Sequence, residues 1–190
     1  MSAPKPMGRG ASRRSAIVSE AAELFSRNGY AAVGMDDIGA AVGVTGPAIY
    51  RHFESKAAVL AAVFEGIIDT VVTAPAGSGS DPVHRLRAAV SRYALGVVAA
   101  RRAMAVFVRE VHHLPNEVSG RLRSRQRTLV HHWRELVAAV HLDWSAEQTR
   151  TAVHAAFGLL NSVGTFTSPL SDGELADQLI RLTLGALDCP

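Results

Sequence analysis

Three small residues and one guanidinium group lie close together in the sequence at Gly46, Pro47, Ala48 and Arg51, and these residue types suit contact with the edges of DNA bases. Arg51 carries a planar fork of donors that can form two parallel hydrogen bonds with guanine. The methyl group of Ala48 can contact the methyl group of thymine, and Gly46 and Pro47 share the same exposed surface. Such chemistry requires an element that fits into the major groove, so the neighbouring residues must supply one.

The surrounding sequence predicts such an element. Ile38 and Val42 recur at helical spacing and predict a short helix with one apolar face. Gly43 can end that helix, because glycine adopts the left-handed conformation without steric strain. Thr45 can cap a second helix, with Pro47 in its first turn, where a missing N–H is tolerated. Two short helices joined by a tight turn predict a helix-turn-helix, whose second helix enters the major groove of DNA.

The residues of this motif resemble those of a known family. The run V-T-G-P-A-I-Y-R-H-F-E-S-K at residues 44–56 follows the amphipathic run A-A-E-L-F-S-R-N-G-Y at residues 21–30. Together they closely resemble the DNA-binding domain of the TetR family of bacterial transcriptional repressors, over roughly residues 12–65. Beyond that region the similarity is limited to overall length and helical character.

The resemblance implies roles for several of these residues. Members of the family bind operator DNA as two-fold dimers, and a small ligand in the C-terminal domain changes the separation of the two reading helices. We therefore expect a palindromic double-stranded DNA operator, a small-molecule effector and, by the habit of the family, repression. The side chains that the resemblance assigns to phosphate contacts are Thr45, Tyr50, His52 and Lys56.

Three glycines depart from the usual pattern of the family. Many members carry a longer polar side chain at the position of Gly46, so direct base reading should depend more on Arg51 and on DNA shape. Gly34 replaces the usual Ser or Thr cap of the first motif helix, although Asp37 can still favour its positive end. Gly39 replaces a customary alanine, which lowers helix propensity by about 1 kcal/mol. A somewhat soft domain is expected.

Helical periodicity continues to the C-terminus and no strand pattern appears, so we expect an all-α protein of about nine helices. Residues 1–11 are rich in Pro and Gly with scattered cations, and should form a flexible basic arm on DNA or a solvated tail. Residues 12–54 should form the three-helix helix-turn-helix domain, and residues 55–190 a helical domain for ligand binding and dimerisation. A loop is expected at residues 74–82.

The composition argues against membrane and secreted classes. Hydrophobic residues make up 48% of the 190 residues, yet no uninterrupted apolar run reaches the ~18 residues of a membrane span. The N-terminus has no apolar segment of the kind that a secretory signal requires. The single cysteine, Cys189, fits a reducing compartment. We expect a soluble, cytoplasmic protein.

The helical domain should contain the effector pocket that the resemblance implies. Inward-facing side chains are expected to line it, with simple core packing as the alternative at each position. Asn161 differs from the others, because an amide in an apolar stretch requires a hydrogen-bond partner. The residues predicted to bind the ligand are Phe64, Ile68, Tyr93, Met104, Phe107, Val111, Arg125, Trp133, Phe157 and Asn161.

Arginine is concentrated in residues 85–134, which hold 11 Arg against 2 Glu. Guanidinium groups near the pocket entrance would favour an anionic effector with an apolar portion, for example an acyl-coenzyme A thioester. The alternative is a solvated basic face. The arginines expected at the entrance are Arg101, Arg102, Arg121, Arg125 and Arg127.

Two capping-box patterns predict the last two helices. The spacing of Ser145 with Gln148, and of Ser171 with Glu174, indicates that each serine opens a helix. The resemblance implies that these two helices pair across a homodimer, whereas intramolecular packing is the alternative. The stripe assigned to the interface comprises Ala152, Ala156, Leu159, Leu160, Val163, Leu175, Leu179, Leu182 and Ala186.

Metal and catalytic chemistry are not expected. The pairs His112-His113 and His131-His132 direct neighbouring imidazoles about 100° apart on a helix, and no Cys or carboxylate lies at a ligand spacing. We expect no metal or cofactor, and place His113 or His131 on the pocket wall or in the core. No catalytic serine, phosphate-loop, zinc or dinucleotide motif occurs, so an enzyme is not expected. A DNA-binding protein without an effector is the remaining alternative.

Overall fold

The computed structural model describes residues 9–72, 81–114 and 116–189, and within these ranges every regular element is a helix. Short 3₁₀ turns occur at Val111–His113 and Ser162–Gly164. The nine α-helices of the described ranges are α1 (Arg9–Asn28), α2 (Met35–Ala41), α3 (Gly46–Ile49), α4 (Lys56–Val72), α5 (Pro82–Ala99), α6 (Arg101–Glu110), α7 (Asn116–Val140), α8 (Ala146–Asn161) and α9 (Asp172–Ala186). The predicted all-α class is confirmed.

Two sequence predictions fall largely outside the described residues. They are the basic arm, most of which lies in residues 1–8, and the loop rich in Gly, Ser and Pro, most of which lies in residues 73–80. Across the described ranges, no helix combines the length and the apolar character that a bilayer span requires.

The first three helices close around a small apolar core. Phe25 of α1, Ile38 of α2 and Ile49 of α3 are completely buried, and Phe53 closes the core just after α3. Each side chain of this kind contributes about 1.5–3 kcal/mol when it is buried. Because α2 and α3 are too short to be stable alone, this core holds the helix-turn-helix together.

Helix α4 joins the helix-turn-helix to the rest of the chain. It packs against α1 on one side and against α5, α6 and α7 on the other. Leu60, Val63 and Phe64 are buried along it, at the spacing of a core-facing stripe. The first three helices therefore rest on the helical domain through α1.

Helix α5 lies at the centre of the helical domain, in contact with α4, α7, α8 and α9. The carboxylate of Asp81 caps it and accepts hydrogen bonds from the backbone N–H groups of Val83 at 3.3 Å and His84 at 3.0 Å. Pro82 occupies the first turn, where its missing N–H is tolerated. The predicted start of this helix is confirmed.

Both predicted capping boxes are present at the starts of α8 and α9. The Ser145 hydroxyl accepts from the Gln148 backbone N–H at 3.2 Å, and the Gln148 side chain accepts from the Ser145 N–H at 2.8 Å. Ser171 and Glu174 repeat this exchange at 3.4 and 2.9 Å. Each box satisfies helix N–H groups that otherwise lack a partner.

Candidate DNA interface and effector cavity

The turn between α2 and α3 is compact because two glycines lie at the contact. A Cβ atom on Gly39 would lie 2.9 Å from the Val44 carbonyl oxygen and 3.0 Å from the Gly46 nitrogen. A Cβ atom on Gly46 would overlap the carboxylate of Asp36. Gly43 has a φ of +70°, in the left-handed region that glycine tolerates. Gly39 therefore allows α3 to approach α2, in addition to lowering helix propensity.

The start of α2 uses a carboxylate in place of a capping hydroxyl. Gly34 offers no side chain, but its backbone N–H donates to Asp37 Oδ2 at 2.7 Å. Asp36 and Asp37 both lie in the first turn, close to the positive end of the helix dipole. The sequence-based role of Asp37 is consistent with this geometry.

Helix α3 is a single turn that begins after Thr45. Pro47 lies in its first turn, as predicted. Thr45 has the extended backbone of an N-cap residue, but its hydroxyl accepts no capping hydrogen bond, so the predicted side-chain cap is absent. The Thr45 side chain is exposed, and its hydroxyl can donate to a phosphate oxygen instead.

The residues predicted to read bases differ in exposure. Pro47 and Arg51 are exposed and Ala48 is half-buried. The Arg51 guanidinium makes no hydrogen bond or ion pair with the described residues, so its donors face solvent. Gly46 is buried against Asp36 and presents no surface to a base edge, which corrects its assignment. A side chain there would have to displace the Asp36 carboxylate.

Tyr50 and His52 occupy the turn that follows α3. Tyr50 is 56% exposed, which is high for an aromatic side chain, and its hydroxyl is accessible to a phosphate. His52 is half-buried and lines a shallow groove with Arg14 and Phe53. Both side chains lie on the outside of the helix-turn-helix.

Lys56 is engaged within the chain. Its Nζ donates hydrogen bonds to the carbonyl oxygens of Tyr30 and Val33, both at 2.9 Å, and of Ala31 at 3.3 Å. The ammonium also lies 4.4 Å from the centroid of the Tyr30 ring. An ammonium has three donors, so this network occupies all of them. Lys56 therefore positions the loop between α1 and α2, and the expected phosphate contact would require these bonds to break.

Two arginines of α1 hold the helix-turn-helix in place, a role that the sequence reading did not assign. Arg13 Nη1 donates to the Val42 carbonyl oxygen at 3.0 Å, at the end of α2. The Arg14 guanidinium lies 4.6 Å from the centroid of the Phe53 ring. No local pattern could reveal these contacts, because they join residues far apart in the sequence.

A cavity of about 480 Å³ opens between α4, α5, α6 and α7, and α8 contributes one residue to its wall. Sites for small molecules have volumes of roughly 300–1,000 Å³. Most of the wall is apolar, and α7 adds a polar edge. The predicted ligand-binding residues that lie on this wall are Phe64, Ile68, Tyr93, Met104, Phe107, Val111 and Asn161.

Three predicted ligand-binding residues do not line the cavity. Trp133 and Phe157 lie behind Tyr93, with ring centroids 5.5 and 5.1 Å from the Tyr93 ring. The rings of Trp133 and Phe157 also pack on each other, with centroids 4.7 Å apart. They therefore support the wall from behind Tyr93 without reaching the cavity. Arg125 faces α4, where it pairs with Asp69. Their assignment to the cavity wall is corrected accordingly.

A polar pair interrupts the apolar wall at Tyr93 and Asn161. The Tyr93 hydroxyl donates to Asn161 Oδ1 at 2.9 Å. Burial raises the pKa of Tyr93 to about 12. Tyr93 is therefore a neutral donor at ordinary pH, and the partner that Asn161 was expected to need is present.

The α7 side of the cavity was missed in the sequence. Ser119, Arg123 and Gln126 line the wall there beside Leu122 and Leu129. The sequence analysis named none of these three polar residues, because it chose candidates on α7 mainly from the apolar stripe. Their spacing of three to four residues places them on one side of the helix.

Two arginines expected at the pocket entrance instead bind α7 to α4. Arg121 Nη2 lies 3.2 Å from Glu65 Oε1, and Arg125 Nη2 lies 2.6 Å from Asp69 Oδ1. Arg121 and Arg125 lie one helical turn apart on α7, and their partners Glu65 and Asp69 lie one turn apart on α4. These guanidinium groups are therefore paired with carboxylates and are turned away from the cavity.

The other three arginines of that set also lie off the cavity wall. Arg101 pairs with Asp172 at the start of α9, and Arg102 pairs with Glu23 of α1. Arg127 is exposed on α7. The expected cluster of arginines around an effector is therefore not found, and Arg123 is the arginine on the described cavity wall.

The histidine pairs show no metal geometry. His131 Nε2 lies 3.5 Å from Glu135 Oε1, and His132 Nδ1 lies 3.7 Å from Glu135 Oε2, all on the surface of α7. His112 lines the cavity, whereas the His113 side chain is outside the described set. Among the residues that are described, no three potential ligands converge on one point.

The apolar stripe of α8 and α9 divides between core and surface. Leu182 and Ala186 are exposed, and Ala152 and Leu159 are half-buried. The remaining members are buried within the chain, because α8 and α9 pack on each other and on α5; they are Ala156, Leu160, Val163, Leu175 and Leu179. These five residues therefore belong to the intramolecular core, which was the alternative prediction.

Comparisons with known proteins cover both halves of the chain. A family model described as "Bacterial regulatory proteins, tetR family" matches residues 17–63. A second, described as "Tetracyclin repressor-like, C-terminal domain", matches residues 79–187. Together they include the helix-turn-helix and nearly all of the helical domain.

Two curated relatives share part of the sequence. The HTH-type transcriptional activator FasR of Mycolicibacterium smegmatis is 37% identical over 84 residues, which cover 43% of this chain and 38% of FasR. The HTH-type transcriptional repressor KstR2 of Rhodococcus jostii is 30% identical over 105 residues, which cover 54% of this chain and 52% of KstR2. The matches thus span about half or less of the length of these relatives.

Solved structures share the fold over most of the chain. A TetR-family regulator from Bordetella parapertussis has a TM-score of 0.74 at 23% identity, covering 90% of this chain and 93% of that chain. AibR, in complex with isovaleryl coenzyme A and operator DNA, has a TM-score of 0.74 at 22% identity, covering 90% and 97%. With an N-terminal helix-turn-helix, matching models in both halves and this shared fold, the chain belongs to the TetR family of bacterial transcriptional regulators.

Proposed function

We propose that this regulator is a homodimeric repressor that binds a palindromic DNA operator and releases it when a small molecule occupies the cavity. The observation that carries the proposal is the position of α6, which contacts the cavity on one side and α1, the helix that supports the helix-turn-helix, on the other. A ligand can change DNA affinity only if it binds two conformations unequally. Helix α6 offers a direct physical link for that coupling.

The two sides of α6 make different kinds of contact. Met104 and Phe107 line the cavity, and the Phe107 ring packs edge to face on Phe64 of α4 with centroids 4.9 Å apart. On the other side, Arg102 pairs with Glu23 of α1, and Arg109 Nη2 donates to the Ser26 carbonyl oxygen at 3.1 Å. A ligand that displaces the two cavity side chains would therefore move the groups that hold α1.

Exposed residues on α8 and α9 support a dimer through these helices. Leu182 is 45% exposed on α9. Gly158 and Gly185 lie inside helices, yet no atom lies within 4 Å of a Cβ built on either one. Glycine inside a helix is about 1 kcal/mol less favourable than alanine, and the described contacts give no reason for it. A second subunit whose helix approaches closely would supply that reason on α8 and α9, and the exposed Leu182 is what distinguishes this face from other open helical glycines such as Gly120 of α7.

The dimer can be tested with one large side chain. Gly158→Arg should reduce the mass measured by sedimentation equilibrium from that of a dimer to that of a monomer. Gly120→Arg is the matched control, since Gly120 is a helical glycine of α7 with equally open surroundings. If Gly158→Arg remains dimeric, the interface does not include this face.

On DNA, the exposed surface of α3 and the following turn would face the duplex. We assign phosphate contacts to Thr45, Tyr50 and His52, which position the element. Base contacts fall to Arg51, with Ala48 and Pro47 beside it. Two such elements in a dimer would reach successive major grooves, so the operator should be palindromic.

For the effector we propose an amphiphile with an anionic group, and an acyl-coenzyme A thioester remains the concrete candidate. The fold is shared with AibR, whose structure contains isovaleryl coenzyme A. It is also shared with the ketosteroid transcriptional regulator KstR2 of Mycobacterium tuberculosis, with a TM-score of 0.71 at 18% identity over 91% of this chain and 93% of that chain. A cavity of about 480 Å³ is large enough for the acyl part of a thioester or for the ring system of a steroid.

Two other readings compete with a ligand-released repressor. FasR is described as an activator, so the direction of regulation needs its own test, for which a reporter gene placed behind the operator is suitable. A regulator without an effector would show the same DNA affinity whatever occupies the cavity. We propose no catalytic role and place the protein in the cytoplasm, where its operator would be accessible.

The DNA-binding function can be tested without knowledge of the operator. Duplexes selected from a random library by the purified protein should converge on a palindrome, and fluorescence anisotropy at fixed moderate salt then gives their affinity. Arg51→Ala should weaken the selected site roughly 5- to 150-fold relative to random duplex, the range of a bidentate base contact. Arg127→Ala on α7 is the control. Failure to enrich any sequence would overturn the proposal.

A further inference from the structure

Several polar groups on the cavity wall make no hydrogen bond or ion pair with the residues that the structure describes, and two of them point to a ligand class. One is the amide nitrogen of Asn161 and the other is the guanidinium of Arg123. We propose that the cavity binds an apolar molecule with an anionic group facing Arg123 and a separate oxygen, as a hydroxyl or oxo group, that accepts a hydrogen bond from Asn161. This inference rests on the proposed function and narrows its effector class.

The orientation of the Asn161 amide is fixed by Tyr93. The Tyr93 hydroxyl has one hydrogen, which it donates to Asn161 Oδ1 at 2.9 Å. Trp133 and Phe157 both pack edge to face on the Tyr93 ring, so the phenol has little freedom to turn. With Oδ1 engaged, the NH₂ group of Asn161 points elsewhere on the cavity wall.

That NH₂ group makes no hydrogen bond with any residue that the structure describes. Most of its surroundings on the wall are apolar, including Phe64, Met104 and Phe107. A donor in such a place lowers the affinity for a purely hydrocarbon ligand, because binding would remove it from water without a new acceptor. A ligand with an oxygen at that position satisfies it.

The second group, Arg123, differs from its two basic neighbours on α7. Arg121 and Arg125 each pair with a carboxylate of α4. Arg123 lies two residues from each of them, about 200° around the helix, and its exposed side chain lines the edge of the cavity near Ser119 and Gln126. It makes no ion pair within the described ranges. A guanidinium in this position favours a carboxylate or phosphate.

The wall between these two groups defines the body of the ligand. Ile67, Ile68, Leu122 and Leu129 present only hydrocarbon surface there, in addition to the aromatic and methionine side chains of α4 and α6. The ligand is therefore an oxygenated apolar acid. An unsubstituted fatty acid would leave Asn161 without a partner, and a neutral hydrocarbon would leave both groups without one.

The test compares matched ligands by isothermal titration calorimetry. The probes are straight-chain acids from octanoate to tetradecanoate, the same acids with a terminal hydroxyl or oxo group, and the corresponding alcohols. The wild-type protein should bind the best oxygenated acid roughly tenfold more tightly than its unsubstituted counterpart, the effect of one hydrogen bond. Equal affinities across the whole series would overturn the role of Asn161.

Variants assign each effect to one residue. Asn161→Leu should remove the preference for the oxygenated acid and leave the affinity for the unsubstituted acid unchanged. Because Asn161→Leu takes away the acceptor of the Tyr93 hydroxyl, Tyr93→Phe combined with Asn161→Leu is the second variant. It leaves no hydroxyl unpaired and should show the same loss of preference. Arg123→Gln should weaken all acids about tenfold or more but not the alcohols, whereas Arg127→Gln should change neither. An Arg123→Gln protein that binds acids as the wild type does would overturn the anionic subsite.

The source of the negative charge and the proposed function are tested separately. Coenzyme A thioesters of the same acids are titrated in parallel, and stronger binding that depends on Arg123 would identify coenzyme phosphates as the anion. If no probe of any kind binds while anisotropy still shows specific DNA binding, the ligand class is wrong and the DNA-binding function stands. If the wild-type protein shows no specific DNA binding, the proposed function itself is wrong.

Discussion

Gly164 lies directly against the backbone of Met104. A Cβ atom at Gly164 would lie 2.9 Å from the Met104 carbonyl oxygen and 3.0 Å from its carbonyl carbon. Gly164 belongs to the 3₁₀ turn that follows α8, whereas Met104 belongs to α6 and lines the cavity. Helix α6 is therefore held between the cavity and the end of the helix proposed to form the dimer.

Gly164→Ala should displace α6, because the methyl group meets backbone atoms that cannot rotate away. We expect a loss of stability of about 1–3 kcal/mol, the usual effect of overpacking, together with a changed DNA affinity in the absence of any effector. Urea unfolding and fluorescence anisotropy measure the two effects. Gly120→Ala, at an open helical position, is the control. Wild-type values of both quantities would show that this contact does not transmit strain.

Gly39→Ala separates two opposite expectations. Helix propensity alone predicts a gain of about 1 kcal/mol when the glycine inside α2 becomes alanine. The structure predicts a loss of about 1–3 kcal/mol, because the new methyl group would meet the backbone of Val44 and Gly46 at 3.0 Å or less. Chemical denaturation gives the sign directly. A gain like that of Gly120→Ala would mean that the turn relaxes at little cost.

The sequence was sufficient for the elements but not for their mutual contacts. Periodicity, Gly43 and Pro47 predicted the two motif helices, and the serine capping boxes predicted the starts of α8 and α9, because these signals are local. Apolar stripes also identified much of the cavity wall. They failed for Trp133 and Phe157, since periodicity shows that a face is buried without showing what it meets.

Charged side chains were predicted least well, because their partners lie far away in the sequence. Lys56 bonds to the carbonyl of Tyr30, 26 residues away, and Arg121 pairs with Glu65, 56 residues away. A list of cations in sequence order cannot distinguish such a residue from one that faces a ligand. Arg123, with no such partner within the described chain, looked the same as its paired neighbours.

Lys56→Met should mainly lower stability, because it keeps the aliphatic stem and removes three hydrogen bonds to carbonyl groups. We expect a loss of about 2 kcal/mol, as for hydrogen bonds from a charged donor. The slope of log K against log salt should stay unchanged, whereas a lost phosphate contact reduces it by about 0.9. Tyr50→Phe is the comparison at the exposed turn. A reduced slope at unchanged stability would return Lys56 to the DNA interface.

The ionisation of Tyr93 makes a further prediction about stability at high pH. Burial raises its pKa to about 12 in the folded state, compared with 10.0 for an unperturbed tyrosine. Below about pH 10 both states keep the proton and Tyr93 adds no pH dependence. Between pH 10 and 12 only the unfolded state loses it, so stability falls as pH rises, at up to about 1.4 kcal/mol per pH unit.

Tyr93→Phe should therefore remove this part of the pH dependence. The variant is expected to be less stable than the wild type near neutral pH, since it lacks the hydrogen bond to Asn161 Oδ1, and the difference should shrink above pH 10. Urea unfolding of both proteins at a series of alkaline pH values measures it, with Tyr50→Phe as the control at an exposed tyrosine. Parallel curves for wild type and Tyr93→Phe would mean that the phenol reaches solvent, and the fixed orientation of Asn161 would then lose its support.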